Sequence, residues 1–183
     1  MPLIFPFPRE HYYLLWSWLQ EFPVCNFDDD GPRDLTQMAR FMEDLRKRGR
    51  QMWEVVQSGQ PVGIIGYEQE TPTVGCFRGI CFTKSVHGTG IPLMAVAEVL
   101  DKAFTVGTEK VRAEYFADNL RVRAFLQKFG AVDEQLVNSE RLRGGKVVAW
   151  RVVGISACDF QRNQRLRSYQ EHSRPSQGVL ASA

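Results

Sequence analysis

Residues 79–104 read GICFTKSVHGTGIPLMAVAEVLDKAF. The segment opens as an apolar strand, passes through a loop over Lys84 to Gly90, and continues as an apolar helix from Ile91 to Phe104. The heart of the loop is His87-Gly88-Thr89-Gly90-Ile91-Pro92. Two glycines two apart let the backbone pass close to a ligand, and the helix behind them presents unpaired N–H groups and the positive end of its dipole. Such an arrangement suits phosphate or pyrophosphate. The same residues also describe a tight turn that needs glycine at positive φ, and the spacing alone does not separate the two readings.

On either side the pattern alternates between strand and helix. Met1 to Pro8 is a short apolar lead, read as an edge strand, and Arg9 to Phe22 an aromatic-rich first helix. Asp28-Asp29-Asp30-Gly31-Pro32 is a turn, and Pro32 suits the first position of a helix running to about Lys47 with a stripe of Leu35, Met38, Phe41, Met42 and Leu45. Met52–Val56 and Val62–Tyr67 form a hairpin around Gln57–Pro61. A strand from about Val74 to Thr83 leads into the quoted loop. A strand over Lys110–Phe116, a helix over Asn119–Phe129, and two strands, Ala131–Val137 and Lys146–Val153, about Gly144-Gly145 complete the pattern. The order β-α-α-β-β-β-α-β-α-β-β predicts an α/β (α+β) fold. Its mixed, mostly antiparallel sheet of six to seven strands has helices on both faces.

Composition narrows the classes of function. At 183 residues, 44% of them hydrophobic, the chain suits one globular domain with a tail. No apolar stretch approaches the roughly 20 residues of a membrane helix, and no signal-peptide pattern opens it. Cys25, Cys76, Cys81 and Cys158 form no C-x-x-C pair, so neither a zinc ribbon nor a disulfide framework is expected. A cytoplasmic, reducing environment is the simplest expectation. Of the 23 basic and 21 acidic residues, four and one fall in residues 161–183. The body, residues 1–160, is therefore close to neutral, which argues against nucleic acid as its partner. The basic tail, 161–183, reads as a flexible terminus; Arg162, Arg165, Arg167 and Tyr169 would otherwise suit RNA or an acidic partner.

The order of elements and four local patterns resemble the GNAT superfamily of N-acetyltransferases, closest to its ribosomal-protein N-terminal acetyltransferase branch. His87 to Pro92 resembles the family's [Q/R]-x-x-G-x-[G/A] loop, with Gly79 nine residues before Gly88 as in that branch. Asn119 to Ala131 (NLRVRAFLQKFGA) looks like N-x-x-S-x-x-x-L-x-x-x-G-F. Trp53 with Val62-Gly63 resembles the W-x-I…x-V-G hairpin, and Val147 to Phe160 the closing strand and terminal aromatic. The resemblance spans roughly residues 3–160. It implies acetyl-CoA as cosubstrate, with no metal, and a primary amine as acceptor: a protein N-terminus, a lysine or a small amine. It further implies a pantetheine arm along the backbone near Cys81, Phe82 and Thr83, and a pyrophosphate over His87, Gly88, Thr89, Gly90 and Ile91. Asn119 would contact the cofactor, with helix capping as a compatible second role. A monomer or homodimer is expected.

The departures from the pattern bear on chemistry. Pro92 has no N–H to offer a phosphate. His87 stands for Arg or Gln, Val122 for Ser or Ala, and Ala131 for Phe. Leu126 stands where many members carry the tyrosine that protonates the thiolate, and Phe77 where the branch often has a glutamate base. Glu114 is the remaining candidate for taking the proton through water, set against a cross-strand salt bridge as its other reading. Tyr115 is a candidate acid, set against a core role. The Asp28–Asp30 loop would attract a cationic acceptor or simply turn the chain. These departures keep open a second function, a catalytically weak or inactive relative that binds CoA or a protein partner.

Overall fold

The computed structural model describes residues 2–21, 32–143 and 146–163, the side chains of 137–143 excepted. Seven strands make one sheet: β1 (Leu3–Pro6), β2 (Gln51–Gln57), β3 (Gln60–Thr71), β4 (Val74–Phe82), β5 (Lys110–Phe116), β6 (Val132–Arg143) and β7 (Lys146–Ser156), in the order β1-β2-β3-β4-β5-β7-β6. Every neighbouring pair is antiparallel except β4 with β5. Parallel neighbours need a crossover, and the quoted helix supplies it. The expected mixed sheet and its edge strand β1 are both present.

The two faces of the sheet are covered by different helices. On one lie α1 (Tyr12–Gln20) and α2 (Leu35–Lys47). Met38, Met42 and Leu45 of α2, spaced four and three apart, are buried with Phe7, Leu15 and Ile64. On the other lie α3 (Ile91–Thr105), α4 (Leu120–Gln127) and α5 (Ala157–Arg162). The helix α3 is buried along most of its length, from Ile91 to Ala103, because it packs over the centre of the sheet. Each large apolar side chain so buried contributes roughly 1.5–3 kcal/mol. The buried carboxylate of Glu54 on β2 accepts a hydrogen bond from His11 Nδ1 at 2.5 Å, tying the approach to α1 onto the sheet.

Several boundaries differ from expectation; β3 runs on to Thr71, β6 to Arg143 and β7 to Ser156. The first helix opens with a 3-10 turn over Arg9–His11 before α1 begins. The second begins at Leu35 rather than at Pro32, because Asp34 is its cap: the carboxylate accepts from Gln37 N–H at 2.7 Å. A closing helix, α5, was not expected. Ser156 caps it by accepting from Asp159 N–H at 3.0 Å, and its Phe160 packs on Phe104 with ring centroids 5.5 Å apart. The Asp28–Asp30 turn, the Gly144-Gly145 turn and the tail beyond Asn163 lie outside the described residues.

Candidate active site

Two neighbouring strands part in the middle of the sheet, and the cause is local. Ile65 of β3 faces Ile80 of β4, yet Tyr67 faces Phe77, so Arg78 and Gly79 together stand opposite the single residue Gly66. This is a β-bulge, which bends its strand away from a neighbour. Gly79 holds φ at +114°, a conformation open to glycine and strained for any other residue. The parallel ladder pairs Val74–Phe77 with Lys110–Ala113 and stops at the bulge. Beyond it β4 runs on beside β3, β5 runs on beside β7, and a wedge-shaped gap opens between them.

The polarity of the gap follows from the ladder. Thr83 N–H donates to Val62 O at 3.0 Å, so Cys81 and Thr83 turn their amides toward β3. Ile80 and Phe82 then present theirs to the gap. The Phe82 carbonyl is already taken, since His87 Nε2 donates to it at 3.1 Å. The remaining edge is a short strip of strand backbone, able to pair with an extended, amide-bearing ligand as another strand would. The family resemblance had implied Cys81, Phe82 and Thr83; the geometry adds Ile80 and turns the Cys81 thiol into the apolar cluster beneath α1 and α2.

At the wide end lies the glycine loop. Gly88 has φ +77°, so the turn reading holds there, whereas Gly90 sits at an ordinary helical φ of −71°. Thr89 N–H donates to Val86 O at 3.2 Å and its hydroxyl to the same carbonyl at 2.7 Å. The Thr89 hydroxyl also accepts from Ile91 N–H at 3.2 Å. Pro92 is the second residue of α3. Gly88 and Thr89 are exposed to solvent. On the β5 side, Asn119 caps α4: its Oδ1 accepts from Val122 N–H at 3.1 Å, leaving the amide NH2 for another partner.

The face of the gap beneath α1 and α2 carries charge. Arg78, beside the bulge, donates to Glu114 Oε1 at 3.1 Å, to Glu70, and approaches Glu68 Oε2 at 3.7 Å. Arg50 donates to Glu68 from the other side at 3.2 Å. Where backbone bonds between β4 and β5 end, the Arg78–Glu114 ion pair bridges the two strands instead. The salt-bridge reading of Glu114 is therefore the geometry observed, while 32% of that side chain stays exposed to water. Arg78 was not among the sequence candidates; an arginine inside an apolar strand beside glycine was the available signal. Burial pushes the Cys76 thiol up to about 12, with Arg78 opposing, which favours the protonated thiol at neutral pH. Burial likewise raises Tyr115, and among the described residues its Oη is buried without a hydrogen-bond partner. No group of His, Cys, Asp or Glu among the described residues is placed to hold a metal, and no described helix is long and apolar enough to cross a membrane.

Comparison with known proteins agrees with this architecture. A search of curated sequences finds no match. Among solved structures, a ribosomal-protein-alanine N-acetyltransferase from Brucella melitensis is 16% identical with a TM-score of 0.69, covering 84% of this chain and 99% of its own. A variant of a spermidine N-acetyltransferase from Vibrio cholerae is 11% identical with a TM-score of 0.73, covering 88% and 99%. A putative acetyltransferase from Salmonella typhimurium, solved with acetyl-CoA, is 10% identical with a TM-score of 0.67, covering 85% and 93%. At these identities the likeness is one of fold. The model of the acetyltransferase (GNAT) domain matches residues 3–132, most of the chain, and the chain belongs to that family.

Proposed function

We propose that the protein is an acetyl-CoA-dependent N-acetyltransferase of the cytoplasm that acts on a primary amine. The observation that supports this best is the bulge-opened gap between β4 and β5, with free strand backbone along one lip and the α3 loop at its end. An extended thioester arm would lie against Ile80 and Phe82, and a strip N–H would meet the developing oxyanion. Such a donor contributes about 3 kcal/mol to the transition state. The amine nitrogen attacks the thioester carbonyl, a C–N bond forms and the C–S bond breaks. The ammonium proton passes through water to Glu114, and the thiolate leaves with a proton from solvent. Holding amine and thioester together supplies much of the rate, on the order of 7–11 kcal/mol in well-aligned cases. Acceptors such as a protein N-terminus, a lysine or a small amine fit the exposed, acid-rich face at Glu68, Glu70 and Glu114.

The loop bonds and Pro92 favour a second reading, a weak or inactive relative that binds CoA or a protein. Differential scanning with acetyl-CoA separates the outcomes. At about 100 times the dissociation constant the ligand adds about 2.7 kcal/mol, or about 5–10 °C in Tm for a domain of this size. A shift together with thiol release on adding amines supports the enzyme; a shift without release across a panel of amines supports the binder; no shift refutes both CoA-based readings.

A further inference from the structure

The C-terminal end of α2 carries cations that the proposed reaction leaves unused. Residues 46–50 read RKRGR, four cations in five positions. Carbonyls of that last turn are already taken. Asp44 O accepts from Arg48 N–H at 3.1 Å, Leu45 O from Arg50 N–H at 3.0 Å and Arg46 O from Gly49 N–H at 2.9 Å. An anion approaching the turn therefore meets little carbonyl charge. Lys47 and Arg48 are exposed. Arg46 and Arg50 instead line a cavity of about 590 Å³ between the end of β1 and the start of β2, with β3 between it and the strands of the gap.

The rest of the lining is mostly apolar, with Pro6, Pro8, Met52 and Trp53, and among the described residues no carboxylate lines it. Both guanidiniums are held in place and still have N–H donors to give. Arg46 donates to the Phe7 carbonyl and lies 5.4 Å from the centre of the Tyr12 ring. Arg50 donates to Glu68 Oε2 at 3.2 Å, while its Nε is buried without a hydrogen-bond partner among the described residues. A buried donor on a charged group is costly to leave unpaired. Glu68 is shared with Arg78 at 3.7 Å, so its hold on Arg50 is divided.

We propose that this cavity binds a small organic anion, a carboxylate carried on a flat apolar body. The planar fork of a guanidinium matches a carboxylate with paired N–H bonds. The proline, methionine and indole walls take the apolar part, and the volume falls in the range of small-molecule sites, about 300–1,000 Å³. Inorganic phosphate would meet the arginines and leave those walls bare. A neutral aromatic would cover the walls and leave the arginines as they are.

Benzoate, benzamide and inorganic phosphate are each titrated into the full chain. Binding is read by calorimetry and by the indole N–H resonance of Trp53, assigned from its loss in Trp53→Phe. Benzoate should bind with millimolar affinity or better and shift that resonance. Benzamide and phosphate should each bind at least about tenfold more weakly, the first for want of charge and the second for want of an apolar body. Arg50→Gln should weaken benzoate by a similar factor, and Arg50→Lys by less, since it keeps the charge without the fork. Absence of benzoate binding at tens of millimolar, binding that leaves the Trp53 resonance unmoved, or benzamide binding as tightly as benzoate overturns the proposal. So does undiminished benzoate affinity in Arg50→Gln with the fold intact by circular dichroism. Phosphate binding as tightly as benzoate overturns the assignment of an apolar carboxylate.

Discussion

Glu114 shows how far a single residue can be read. On β5 it alternates with Arg112 and Phe116, opposite Val111, Ala113 and Tyr115, and both of its roles can be read from that. Which arginine it meets cannot, because Arg78 reaches it only where the bulge has turned β4 aside. If Glu114 relays the amine proton, Glu114→Gln should lower kcat/KM about a hundredfold. As a partly exposed ion pair it should change stability by less than about 1 kcal/mol. A steady-state assay beside urea unfolding checks both, and an unchanged kcat/KM would leave Glu114 as a strut only. Asn119 was legible for a simpler reason: capping depends on residues three apart, and Val122 N–H is where the spacing placed it. His87 was not, since its ring bond to Phe82 O depends on the shape of the whole loop. At Gly75 a side chain would collide with the Tyr67 ring, so Gly75→Ala should destabilise by about 1–3 kcal/mol, read from the denaturation midpoint.

At the scale of elements, the hairpin, the strand–loop–helix unit and the fifth strand could be read because their periodicity is local. The α5 helix could not. Six residues give no period, and it forms because Ser156 caps it and Phe160 finds Phe104. The start of α2 followed the same rule: a side-chain cap at Asp34 outweighed the preference of Pro32 for a helix start. Asp34→Ala should therefore cost about 1 kcal/mol, measurable by urea denaturation. The edge of the sheet offers a pH-dependent case. Glu134 of β6 reaches Lys110 at 2.7 Å and Arg112 at 3.0 Å on β5, passing over Gly154 of β7, where a side chain would block it. Partial burial alone would raise its pKa, but Lys110 and Arg112 prevail and hold it below the ordinary carboxylate value. A carboxylate lowered in the folded state stabilises above its unfolded pKa, and that contribution is lost as pH falls through the folded value. Glu134→Gln should thus lower the urea midpoint at pH 7, and the difference from wild type should vanish as pH falls through the lowered folded value.

Across the whole molecule, the sequence carried the order of strands and helices and the two-faced sheet. The opening between β4 and β5 was carried only by the family resemblance, since its cause is one extra residue within β4 that an apolar run conceals. Gly79 was visible as a motif position; that it bends the strand is a property of pairing, and pairing is long-range. An open sheet ordinarily has two free borders, and here they are β1 and β6. The bulge creates a further pair in the interior, one along each lip of the gap. Exposed borders invite association with other chains, but this one is recessed between helices and only a few residues long. A slender chain with amides of its own fits where a protein strand does not. Amide hydrogens at Ile80 and Phe82 should exchange with solvent quickly for a central strand and slow when such a chain binds, so the middle of the sheet would report occupancy that its outer borders would not.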